Sequence, residues 1–262
     1  MVSSVDLPIY YESSGSGLAI VFIHSFLCDR TLFEHQVQAL QSSYKVVTLD
    51  IRGHGRSGSS DSAFGMPDIV NDVLAVLDKE QIGAAVWVGL SIGGFVAMRA
   101  ALDFPNRVKA LVLMDTEAGP QSLLKKIQDI GLKWGLRALG PKAIAPSICN
   151  ALFGKSTRRS NPALVNAYKL KFQEMRVESI CHCIEAVMTR DDLRPQLSKL
   201  KCPTLVVVGD EDVPLPVAKS RKIAQLISTS TLATILGAGH LSAIEQPTEV
   251  NRVLAQFLGS LD

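Results

Sequence analysis

The 262-residue chain lacks a surplus of charge: 27 Lys and Arg stand against 25 Asp and Glu, a net of +2. So small a balance argues against the broad basic face with which a domain holds nucleic acid, and we expect neither nucleic acid nor an anionic membrane as partner. Cysteine is scarce as well. The five present (Cys28, Cys149, Cys181, Cys183 and Cys202) are odd in number and follow neither a disulfide framework nor the paired spacing of a zinc site. Reduced, packed thiols and a cytoplasmic setting are the expectation. No apolar run reaches the length needed to cross a bilayer. The opening MVSSVDLPIYYESSGSG has neither the basic start nor the apolar stretch of a secretory leader. Internal repeats and low-complexity tracts are missing too. What remains, 47% apolar and 20% charged, is the composition of a globular protein long enough to bury a sizeable core.

Short β-branched runs recur at Ala19–Ile23, Lys45–Leu49, Ala84–Val88, Val108–Met114, Thr204–Val208 and Thr231–Ile235. Most are continuous rather than alternating, as in parallel strands covered on both faces. Helical periodicity lies between them. In MPDIVNDVLAVLDKE the residues Met66, Ile69, Val70, Val73, Leu74 and Leu77 share one stripe, with Pro67 suited to a first turn. PVAKSRKIAQLI and EVNRVLAQFL read the same way. The alternation predicts an α/β fold with a doubly wound, mostly parallel sheet and right-handed crossovers. It fails between Glu117 and Arg190, where helical patterns (Leu123, Leu124, Ile127 and Ile130, then Val177, Ile180, Ile184, Val187 and Met188) run with no strand among them. This stretch, rich in Lys and Arg, predicts a helical cap over residues 117–190, inserted into a core made of residues 1–116 and 191–262.

One stretch carries chemistry. In AAVWVGLSIGGFVAMRA, residues 84–100, an apolar strand ends in Gly89-Leu90-Ser91-Ile92-Gly93 and a helix begins. This G-x-S-x-G spacing places a serine on a sharp strand-to-helix turn, where small neighbours keep Cβ atoms apart and the hydroxyl stands clear. A serine at its ordinary pKa is a poor nucleophile, so it needs a base, and the base an orienting acid. Of five histidines, His240 lies in LGAGHLSAIEQP, a loop after the last strand, at the sheet edge where open α/β folds bind ligands. Asp210, Glu211 and Asp212 follow the strand before it. The two aspartates sit two positions apart in a tight loop and cannot both face one imidazole. Asp212, deeper in the loop, has the reach, while Asp210 suits the start of a turn; Asp115 stands behind both. Amide donors for an oxyanion are expected from Ile92, at the helix start, and from Phe26, in the IHSFLCD loop, with His24 bracing that loop.

Five segments in order (HSF, DIRGHGRS, GLSIGG, GDED and GAGH) give the chain a resemblance to the α/β-hydrolase superfamily along essentially its whole length. Ser25 stands where that family usually has glycine. The resemblance implies Ser91 as nucleophile, His240 as base, Asp212 as acid, Phe26 and Ile92 as oxyanion donors, and no cofactor or metal. His-Ser, Asp115-Thr116 and the Arg190–Leu193 stretch RDDL are also similar to 3-oxoadipate enol-lactonase-like hydrolases. The implied activity is cleavage of a carboxylic ester through an acyl-enzyme, with a small-molecule ester or lactone as substrate. Enol-lactone hydrolysis, carbon–carbon bond hydrolysis and a non-enzymatic ligand receptor on the same scaffold stay open. The substrate's identity and the oligomeric state are not read. Serine at the elbow speaks against haloalkane dehalogenases and epoxide hydrolases, which place aspartate there. Cys181-His182-Cys183 reads as helix packing rather than a metal site, because one intervening residue turns the thiols to different faces. RGHGRSGSS lacks the lysine of a phosphate loop. Trp87 is expected in the core and Trp134 on the cap or the pocket wall.

Overall fold

The apolar runs pair into a sheet in the computed structural model, which describes residues 9–58 and 62–261. The first eight residues, where a secretory leader was not expected, and the last two of RGHGRSGSS, Ser59 and Ser60, lie outside the described part. The strands β1 (Tyr11–Ser14), β2 (Ala19–Ile23), β3 (Lys45–Leu49), β4 (Ala85–Leu90), β5 (Val108–Met114), β6 (Thr204–Gly209) and β7 (Ser230–Ile235) stand in the order β1-β3-β2-β4-β5-β6-β7. From β3 to β7 every neighbour is parallel, and β1 alone runs antiparallel, Tyr11 opposite Leu49. β1 is a polar edge strand, YESS, without the apolar run that marks the others. β4 continues two residues past Val88, because Gly89 and Leu90 pair with Leu113 and Met114. β7 closes the far edge and is largely exposed rather than covered on both faces.

Helices α1 (Glu34–Leu40), α2 (Met66–Lys79), α3 (Ile92–Asp103), α8 (Val217–Leu226), α9 (Ser242–Glu245) and α10 (Pro247–Leu258) surround the sheet. Because side chains alternate across a strand, β2 divides between two cores. Val21 and Ile23 pack with Trp87, Phe95 and the stripe of α2, whereas Ile20 and Phe22 pack with Phe33, Val88 and α10. α2 starts as read: Pro67 lies in its first turn and the Asp68 carboxylate accepts the Gly65 N–H at 2.7 Å. Trp87 is fully buried and donates its indole N–H to the Arg107 carbonyl at 3.1 Å.

Between β5 and β6 run α4 (Leu123–Leu152), α5 (Lys155–Ser160), α6 (Pro162–Gln173) and α7 (Val177–Thr189). α4 is broken at Gly140, whose φ of 75° is left-handed, and Pro141 follows at once. Its second half buries Ala145, Ile148 and Cys149. Its first half departs from expectation. The periodic residues Leu123, Leu124, Ile127 and Ile130 do form a helix, but they turn to solvent, and so does Trp134, which lies on this inserted helix and not among the residues lining the cavity of Ser91. Among the described residues no helix is long and apolar enough to cross a membrane.

Candidate active site

β4 delivers the chain to Ser91 and α3 departs from it. Ser91 holds φ 57° and ψ −112°, a region that residues with a side chain seldom occupy. Its surroundings impose that conformation. The Ser91 N–H donates to the Met114 carbonyl at 2.9 Å, and its own carbonyl accepts from Thr116 Oγ1 at 2.6 Å. A Cβ on Gly89 would stand 2.1 Å from the Gly93 oxygen, and one on Gly93 2.1 Å from the Ile23 oxygen. Both glycines are thus required by close backbone approach, which is the physical content of the motif's spacing.

The loops after β6 and β7 meet beside this turn. His240 Nδ1 lies 2.9 Å from Asp212 Oδ2, while Asp212 Oδ1 accepts the Leu215 N–H at 2.8 Å. The carboxylate therefore holds the proton of a neutral imidazole on Nδ1 and leaves Nε2 with its lone pair. Burial disfavours the imidazolium, yet the charge and hydrogen bond of Asp212, with the charge of Asp115, outweigh it and raise the His240 pKa above its ordinary value. Asp210 is exposed and accepts the Gly237 N–H at 2.7 Å, away from the imidazole. Asp115 is wholly buried at the end of β5, with a φ of 44°. Its Oδ1 accepts the Gly209 N–H at 2.8 Å and its Oδ2 the Ser242 hydroxyl at 2.5 Å, so it ties the strand that leads to Asp212 to the loop that carries His240. Burial, then the nearby charge of Asp212, pushes the Asp115 carboxyl up.

Ser91, His240, Phe26 and Ile92 line one cavity of about 240 Å³. Ile92 opens α3, whose first amides have no partner within the helix. Phe26 sits in the loop after β2, which Leu27 turns with a φ of 66°. His24 braces that loop as read: its Nδ1 meets the Ser25 carbonyl at 2.7 Å, and its Nε2 accepts the Ile51 N–H at 2.9 Å. Burial pushes the His24 pKa down to about 4, so this imidazole is neutral. Ser25, in the glycine position, is itself buried. Across the cavity, Leu132, Ile184 and Val187 form an apolar wall, whereas Lys125, Asp129 and Arg190 make a polar one. Arg190 pairs with Glu117, which also holds Lys219 at 2.8 Å.

Residues 20–253 match the alpha/beta hydrolase family. The chain belongs to that family. It is 28% identical to 3-oxoadipate enol-lactonase 2 of Acinetobacter baylyi, over 97% of this chain and 94% of that protein. Two solved structures are similar throughout. A thermophilic esterase from Thermogutta terrifontis, with malate bound, superposes with a TM-score of 0.94 at 29% identity, over 99% of this chain and 96% of that one. An enol-lactonase from Burkholderia xenovorans gives 0.91 at 25%, over 97% and 98%. The family and these relatives support a hydrolytic enzyme.

Three contacts of this alpha/beta hydrolase escape sequence reasoning. The backbone N–H of His240 donates to the Leu152 carbonyl at 2.8 Å, at the end of α4. Glu245 accepts the Gly154 N–H at 2.8 Å and the Leu241 N–H at 3.1 Å. Glu211, the middle acid of its triplet, takes the Ser156 N–H and hydroxyl, each at 2.7 Å. All three fasten the inserted helices to the loops of Asp212 and His240, and no local pattern announces them. Cys181 and Cys183 are both buried, and burial pushes the Cys183 thiol up, which fits packing rather than ligation.

Proposed function

We propose that the protein is a serine hydrolase that cleaves small carboxylic esters, lactones included, without a cofactor. One observation carries the reading: the 2.9 Å bond from His240 to Asp212 leaves Nε2 as a free base in the cavity that Ser91 also lines. In the proposed reaction His240 Nε2 takes the proton of Ser91 as its oxygen attacks the carbonyl carbon. The amides of Phe26 and Ile92 receive the developing oxyanion, an interaction worth about 3 kcal/mol per donor in such sites. Asp212 stabilises the imidazolium, which passes its proton to the leaving oxygen, and an acyl-enzyme remains. Water, deprotonated by His240, then attacks the acyl carbon, releases the acid and restores Ser91. The segment of residues 117–190 serves as a cap, its first and last helices closing the cavity. The enol-lactonases among the relatives, and the small cavity, favour compact substrates over long acyl chains.

The test compares p-nitrophenyl acetate, butyrate and dodecanoate with an enol-lactone, and treats the protein with a fluorophosphonate. Turnover of the short esters or the lactone, with a phosphonate adduct mapped to Ser91, is the expected result. A folded protein that neither turns over nor takes the label is a receptor rather than an enzyme.

A further inference from the structure

Among the described residues, nothing covers the apolar stripe on the first half of α4. Leu123, Leu124, Ile127, Ile130 and Trp134 are between 45% and 76% exposed. Their spacing of three and four residues gathers them on one face of the helix. The opposite side of the same helix, at Lys125, Asp129 and Leu132, lines the cavity that holds Ser91. The helix thus presents apolar side chains outward as well as the inward Leu132 and Leu136. A contiguous exposed patch of this kind marks a surface that binds something.

The charge of the segment that carries the stripe, with Lys126 at its edge, identifies what. Residues 117–190 hold twelve Lys and Arg against five Asp and Glu, a surplus of seven, whereas the whole chain has a surplus of two and the remainder a deficit of five. The chain-wide balance, from which we expected no anionic membrane as partner, averages over these unlike parts. Lys126 and Arg137 flank the stripe. Glu178 is taken by Arg137 in a two-pronged bond of 3.0 and 2.6 Å, and Asp129, the acid of this half-helix, faces the cavity. A second copy docked stripe to stripe would bring together two segments that each carry this surplus of seven positive charges, while Arg137 is already held by Glu178. An anionic lipid surface suits both features, since Leu, Ile and Trp enter the headgroup–acyl boundary while Lys and Arg stay among the headgroups.

We propose that the first half of α4 docks the protein peripherally on anionic phospholipid bilayers, with Ile127 and Trp134 at the centre of the contact. Docking does not depend on the hydrolase reading. It would set the cavity wall formed by the same helix beside the lipid, so that a substrate partitioned into the bilayer starts close to it.

Tryptophan emission tests this directly, because Trp87 is fully buried and Trp134 is 71% exposed. The full chain is mixed with vesicles of phosphatidylcholine, or of phosphatidylcholine with phosphatidylserine, and measured by fluorescence and co-sedimentation. The expected result is a blue shift and pelleting with the anionic vesicles alone, both weakened by added salt. Ile127→Glu should lower the bound fraction about tenfold or more, from lost apolar contact and added repulsion, and Lys126→Glu should lower it by several fold. Neither residue lines the cavity, so hydrolysis of soluble esters by both variants should match the parent. Wild type that ignores anionic vesicles at low salt overturns the proposal, and so does Ile127→Glu that binds as well as the parent. A concentration-dependent dimer that Ile127→Glu splits, and that Lys126→Glu leaves intact or tightens, would make the occupant a second copy and also overturn it.

Discussion

Replacing Asp212 by Asn keeps the shape of the side chain and exchanges one acceptor for a donor, and the hydrogen bonds around it set the consequence. The Leu215 N–H already donates to Oδ1 at 2.8 Å, so the amide oxygen is held there and its NH2 faces His240 Nδ1, 2.9 Å away. A donor at that position drives the imidazole proton to Nε2, the nitrogen proposed to accept from Ser91. Reversing the amide would set NH2 against the Leu215 N–H in a site where the Asp212 side chain is fully buried, stranding donors at about 1–3 kcal/mol each. Either arrangement leaves the wrong hydrogen bonds, and loss of an orienting carboxylate in this role lowers kcat by about 10⁴, or about 5 kcal/mol of barrier. Asp210 supplies the control. It is exposed and only accepts the Gly237 N–H, which an asparagine oxygen does equally well. Asp210→Asn should stay within about threefold of the parent rate. Initial rates on p-nitrophenyl butyrate, with circular dichroism and thermal melting to establish folding, make the comparison. Folded Asp212→Asn retaining a tenth of the parent rate refutes the reasoning, as does an Asp210→Asn loss of the same size.

Ser91→Ala should lower ester hydrolysis by about 10⁶ while leaving a folded protein, because only residual binding and oxyanion stabilisation survive; a retained tenth of the activity contradicts the mechanism. With neutral His240 as the proposed base and its pKa raised, kcat/KM should fall on the acid side through an apparent pKa above 6.5, and a limb at or below pH 6 counts against it. Gly93→Ala should cost about 1–3 kcal/mol in urea unfolding and most of the activity, as the new methyl would lie 2.1 Å from the Ile23 oxygen; a variant as stable and active as the parent shows that the elbow is not tight.

Continuous apolar runs made β2 to β6 legible, because a buried strand has to be apolar throughout, and β7 was read by its β-branched run although it is largely exposed. β1 was not, since its YESS owes its place to pairing with β3 rather than to its own composition. The turn at Ser91 could be read because its demand for small neighbours is local. That Asp212 rather than Asp210 meets His240 could be read from chain reach together with the family resemblance. Asp115, Glu211 and Glu245 work across long stretches of sequence, and a lone carboxylate gives no sign of the amide it will face. The outward stripe of α4 shows a separate limit. Periodicity reports that a helix has an apolar side, not what covers that side.

The fastening of His240 to Leu152, and of Glu211 and Glu245 to Ser156 and Gly154, bears on how this enzyme can be re-engineered or can diverge. The inserted helices are not one removable module. Gly140 separates an arm, which carries the outward stripe and one wall of the cavity, from a mount that reaches Ser156 and holds the histidine loop in place. Exchanging the arm should alter what the cavity admits and leave His240 where it is. Exchanging the mount should disturb His240 itself, so a chimera aimed at new substrates is cut at Gly140 and Pro141, not at the ends of the insertion.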